Sequence, residues 1–158
     1  MRQALTTALL AGLISACGGP PRHDGPPVYG DFPVKTYDGT PAPLVLSGPN
    51  AEQWRTALTP LLSAGPTFAG SLAVGVSSCG AGCTMAAFVD LKSGKVYHDR
   101  AFLPVCFTYD FRPSSELMIA HPTELPPGSA GGDCPNVIRY YRWTGDSLAL
   151  LLELPGTT

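Results

Sequence analysis

Over much of the second half of the chain, apolar and polar residues alternate with a period of two, which is the spacing of a half-buried strand. In 70–78, Leu72, Val74 and Val76 alternate with small residues. The run 84–91 carries Met85, Phe88, Val89 and Leu91. Lys92-Ser93-Gly94-Lys95 then turns the chain and Val96-Tyr97-His98 returns, which predicts a hairpin with Gly94 at its left-handed position. Two further strands are predicted over 105–111 and 116–120, joined through Arg112-Pro113-Ser114. The last pair, 137–143 and 147–154, is linked by Thr144-Gly145-Asp146. There Val137, Tyr141 and Trp143 share one face, and Leu148, Leu150 and Leu152 share one face of the partner. Aromatic residues opposite aliphatic ones favour that pairing.

One stretch has the helical period instead. Trp54, Leu58, Leu61 and Leu62 fall on one side of a helix over 50–63. Asn50 is placed to cap it, Gln53 to reach back, and Gly65-Pro66 to stop it. Pro60 predicts a kink or a separate last turn. Upstream, Asp38-Gly39 predicts a first hairpin over 35–46, with Pro41 and Pro43 confining its second arm to an edge. The fold class expected is mainly β (α+β): an antiparallel sheet or small barrel of six to seven strands, with one N-terminal helix and disulfides. A single domain is expected over 31–158.

Composition adds a location. Only 14% of the 158 residues are charged, against 44% apolar, with 18 Gly and 17 Pro. This suits a loop-rich β protein. A net charge of −2 gives no basic footprint, so no nucleic-acid partner is expected. Arg2 precedes an uncharged apolar run of about 13 residues, shorter than the roughly 20 needed to span a bilayer. It ends in Leu13-Ile14-Ser15-Ala16-Cys17, which resembles the bacterial lipobox. The resemblance implies a signal peptide over 1–16, lipidation at Cys17 and a membrane partner through that lipid. Gly18 stands where an Asp would imply inner-membrane retention, so the outer membrane facing the periplasm is expected. Residues 18–30, rich in Pro and Gly, read as an extended tether.

Export places the other cysteines in an oxidising compartment. Cys79, Cys83, Cys106 and Cys134 then read as two disulfides, for which three pairings exist. The pairing favoured is a local Cys79–Cys83 bridge with Cys106 joined to Cys134. Zinc is disfavoured, because two of the four stand alone in sequence. Cys79-Gly80-Ala81-Gly82-Cys83 has three residues between its cysteines, and a strand rather than a helix follows, so a catalytic dithiol is disfavoured too.

Certain short motifs resemble a group of small exported proteobacterial proteins of unassigned activity. They are Phe68-Ala69-Gly70, the Cys79–Cys83 turn, Ser93-Gly94-Lys95-Val96, Phe111-Arg112-Pro113-Ser114-Ser115-Glu116-Leu117 and Tyr140-Tyr141-Arg142-Trp143-Thr144-Gly145. The resemblance covers about residues 66–152 and implies fold and location only. Where that group often has His-Tyr after the first motif, this chain has Ser71-Leu72, which argues against chemistry there.

No nucleophile elbow, phosphate loop or His-Glu-x-x-His motif occurs, so no catalytic residue, metal or cofactor is expected. His98, Asp99 and Arg100 are consecutive and cannot cluster on one strand face. His121 with Glu124 could form a metal pair, but nothing indicates a third ligand. Arg139, Tyr141 and Trp143 form a candidate binding surface, since Arg, Tyr and Trp dominate interface hot spots. A non-enzymatic binding module with an envelope protein partner is therefore expected. Its alternatives are an inhibitor of a cell-wall hydrolase, a structural lipoprotein and, less favoured, a thiol redox protein.

Overall fold

The structure is a computed structural model that describes residues 24–46, 51–80, 83–98, 106–123 and 134–156; side chains at 51–53, 76–80, 83–85 and 98 fall outside that description. Among the described residues it contains one α-helix, α1 (Ala51–Ala64), and seven strands. These are β1 (Leu72–Gly80), β2 (Cys83–Asp90), β3 (Val96–His98), β4 (Phe107–Phe111), β5 (Leu117–Pro122), β6 (Val137–Trp143) and β7 (Leu148–Pro155). Two antiparallel sheets result, ordered β1-β2-β3 and β4-β5-β6-β7. They do not close into the barrel that was one of the two expected forms. A barrel needs an unbroken ladder. Here β3 and the β6–β7 turn are joined instead by a side chain, Tyr97 Oη–H donating to the Gly145 carbonyl at 3.1 Å.

Alternation along each strand builds two apolar layers. Leu72, Ala86 and Phe88 on one face of the first sheet meet Met118 and Trp143 of the second. Ala73, Ala87 and Val89 on the opposite face pack under Leu58 of α1, with Trp54, Leu61 and Leu62 beside it. The order of layers is therefore helix, three-stranded sheet, four-stranded sheet. α1 continues to Ala64 as one element with Pro60 inside it, so of the expected kink or separate last turn the separate turn does not occur. Loss of a helical hydrogen bond at a proline is costly, and burying Leu58 and its neighbours against the sheet offsets it. Gly65, at φ +78°, ends the helix in the left-handed region as expected. The expected Asn50–Gln53 cap lies outside the described residues.

The expected hairpin over 35–46 does not form. The segment is an irregular strap whose backbone groups are satisfied elsewhere. Val34 N–H donates to Ser114, Tyr37 to Gly70, Ala42 to Leu91 and Val45 to Gly94, at 2.8–3.0 Å. Pro33, Pro41 and Pro43 lack ladder donors, which prevents two arms of this segment from pairing with each other. Upstream, the strap begins in a short 3-10 turn at Tyr29–Asp31, with the Arg112 guanidinium over the Tyr29 ring.

The β2–β3 hairpin has the turn expected. Gly94 lies at φ +73°, and a Cβ there would collide with the Pro43 carbonyl oxygen of the strap. Gly65 has nearly the same φ with nothing within 4 Å of its virtual Cβ. Gly65→Ala should therefore cost only the left-handed strain, about 1–2 kcal/mol, and Gly94→Ala clearly more. Equal losses in parallel urea titrations would show that the strap does not press on Gly94.

Asp90 holds the same turn together. It accepts from Ser93 Oγ at 2.6 Å, Ser71 Oγ at 2.7 Å and Lys92 N–H at 3.1 Å. Burial by itself would raise its pKa, but these hydrogen bonds outweigh it and hold the carboxyl below its ordinary value. A depressed folded-state pKa stabilises the fold above the unfolded value of about 4, and the contribution is lost as pH falls through the folded value. Native protein should therefore lose more stability between about pH 5 and pH 2 than Asp90→Asn. Parallel stability–pH curves would exclude this role.

Candidate functional site

Strand β6 carries the three residues singled out as a recognition surface, and the fold separates them. Trp143 is 6% exposed and belongs to the core. It stacks on Phe88 at 5.5 Å and meets Tyr97 edge-on at 5.2 Å and Phe68 at 6.4 Å. It is not part of any surface. The reason is the alternation itself: residues of one parity on β6 face the first sheet, and Trp143 lies at the well-covered end. Tyr141, opposite Met118 and Leu150 in register, is half-buried. Arg139, opposite Ala120 and Glu153, is half-buried as well.

Arg139 is held from two sides. Its Nε donates to Glu153 Oε2 at 2.7 Å, and its guanidinium lies 4.9 Å from the Phe107 ring centre. The Glu153 hydrogen bond is the main cause that raises its pKa, against an opposing effect of burial. Tyr109 packs beside Tyr141. Burial raises its phenol pKa, with the neighbouring Tyr141 adding to the effect and Arg139 opposing it. This group fills the apolar patch around the Cys106–Cys134 disulfide, whose Cα atoms are 5.2 Å apart. The bridge passes over β5, tying the start of β4 to the entry of β6.

Sequence reasoning missed the residues that are exposed here. Leu150 is 54% and Leu151 42% exposed on β7, which is an edge strand. In register, Tyr141 faces Leu150 whereas Tyr140 faces Leu152, so Leu151 is an extra residue. The irregularity switches the phase of β7. Leu148 packs with the core, while Leu152 falls opposite Tyr140 rather than on the same face as Leu148 and Leu150, as had been expected. The signal was present in Leu150-Leu151-Leu152, three leucines that break a period of two.

The remaining candidates are dispersed. His121 Nε2 lies 3.2 Å from Asp110 Oδ2 on the exposed side of β4–β5. Glu124, Asp99, Arg100 and Cys17 lie outside the described residues, as does the side chain of His98. Among the described residues, no three potential ligands converge on a metal position. The backbone of β1 and β2 places Cys79 beside Cys83: Ser78 pairs with Thr84 and Gly80 with Cys83, leaving Cys79 as the unpaired residue between. The turn thus joins two strands, as expected, rather than opening a helix; its side chains fall outside the description. Among the described residues, no helix is long and apolar enough to cross a membrane. Comparisons of the chain with protein-family models, with curated proteins and with solved structures find no match.

Proposed function

We propose that this chain is a non-enzymatic binding module of the bacterial envelope, attached to the outer membrane by lipid on Cys17 and recognising an envelope protein through the β6–β7 edge. The observation that carries the reading is the pair of exposed leucines, Leu150 and Leu151, on an edge strand beside the Arg139–Glu153 ion pair. Exposed apolar side chains flanked by a paired charge suit protein recognition. An edge strand also has main-chain groups available for a partner. The recognition set is thus Arg139, Tyr141, Leu150 and Leu151, with Trp143 as its buried support.

The test is retention of an envelope protein by the immobilised mature domain. Leu150→Asp with Leu151→Asp should abolish retention and leave the melting temperature nearly unchanged, while Asp146→Ala at the hairpin tip should retain the same partner. A retained set indifferent to the leucines would remove the proposed surface. The anchor has its own test. Mass spectrometry of membrane-extracted protein should show a chain that begins at diacylglyceryl-modified Cys17, and a different first residue would remove the lipid from the account.

A further inference from the structure

We propose that the strap from Tyr29 to Val45 is a latch that opens as one unit while the two sheets stay folded. Beyond its first 3-10 turn the strap has only two isolated bridges, Pro33 with Ser115 and Val45 with Lys95. None of its residues is buried, although the groups it covers are: Gly70, Leu91, Gly94 and Ser115. Its crossing bonds form two clasps. At the first, the Ser115 hydroxyl, 1% exposed, lies 2.9 Å from the Tyr29 carbonyl and 3.1 Å from that of Phe32, and Glu116 N–H donates to Phe32 at 2.9 Å. Arg142, paired with Glu116 at 2.9 Å, lies over the Phe32 ring. At the second, Ala42 and Val45 donate to Leu91 and Gly94 in the β2–β3 turn. Between them Tyr37 donates to Gly70.

Apolar packing of the strap on the core is confined to half-buried side chains such as Tyr37 and Leu44, and this with a few crossing hydrogen bonds marks a segment less stable than the sheets. The clasps join the two sheets at their turns, and each sheet keeps its own ladder when they part. Among the described residues, Tyr29 is the first that hydrogen-bonds to the sandwich. With the chain anchored at Cys17, as proposed above, tension on the tether reaches the Ser115 clasp first. The latch itself rests on the two clasps and the Tyr37–Gly70 bond, and it stands without the anchor.

Amide hydrogen exchange on the full chain, followed by mass spectrometry, tests it. In the native protein, the amides of Val34, Tyr37, Ala42 and Val45 should exchange together, about tenfold or more faster than those of β2, β5 and β6. Ser115→Ala should speed the strap amides by a further tenfold or so and leave the sheet amides unchanged apart from Leu117, whose N–H donates to the Ser115 hydroxyl at 3.1 Å. Phe32→Ala, which alters only the strap side of the clasp, should act in the same direction if Ser115→Ala fails to fold. Strap amides that exchange at the rate of the sheet amides, or variants that accelerate all amides alike, would make the strap an inseparable part of the sandwich and overturn the latch.

Discussion

Trp143→Ala should lower the stability of the domain by about 3–5 kcal/mol, the range for deletion of a buried large aromatic side chain. The indole touches aromatic rings from the first sheet, Phe88 and Tyr97, and from the corner before β1, Phe68. Its loss therefore leaves a cavity where the sheets meet, and the surrounding ladders prevent the walls from collapsing into it. Domains of this size have only about 5–15 kcal/mol to lose. Trp143→Phe, which keeps a ring, should lose much less. The neighbouring Arg142→Ala should cost only about 1 kcal/mol, because its ion pair with Glu116 is partly exposed and screened by water. Urea titrations of the three variants check this ordering. A Trp143→Ala loss no greater than that of Arg142→Ala would mean that the sheets do not meet on this residue.

Removing the Cys106–Cys134 bridge should come next in effect. The cysteines are 28 positions apart, for which chain entropy gives roughly 3–4 kcal/mol. The double variant Cys106→Ala/Cys134→Ala should unfold at a correspondingly lower urea concentration. Its β1–β2–β3 amides should stay protected longest, because the bridge binds only the four-stranded sheet. Peptide mapping without reduction should recover Cys106 joined to Cys134. If Cys106 is found joined to Cys79 or Cys83, the patch around Phe107 and Tyr141 is built differently.

Much of the sheet structure was legible in the sequence, because period-two patterning is a direct consequence of one buried face. The bounds of β3 and β6 match the expected ones, and Gly94 takes its left-handed place. Three features were not legible, each because a distant contact outweighed a local signal. Asp38-Gly39 suggests a turn, but the strap bonds to turns far along the chain instead. Pro60 suggests a kink or a separate last turn, but the helix runs through it as one element, with Leu58 and Leu61 packed on both sides. Trp143 has a hot-spot composition, but on a strand its exposure depends on parity and on what lies across from it. The short motifs proved informative in another way. Phe68-Ala69-Gly70 and the 111–117 motif meet in space: Ala69 N–H donates to Ser115 and Gly70 N–H to Pro113, while the Phe68 and Phe111 rings lie 5.8 Å apart. Ala69 and Gly70 both have positive φ at this corner. These two motifs thus form a joint between the sheets.

Strand β6 turns Trp143 inward, while on the edge strand β7 Leu150 and Leu151 stay exposed. Hydroxyl-radical footprinting of the native protein, read residue by residue, tests it most directly. Leu150 and Leu151 should be oxidised at rates close to those in denatured protein, whereas Trp143, intrinsically the more reactive side chain, should be protected until the domain unfolds. Rapid oxidation of Trp143 in the native state, with both leucines protected, would contradict the arrangement and return Trp143 to the surface.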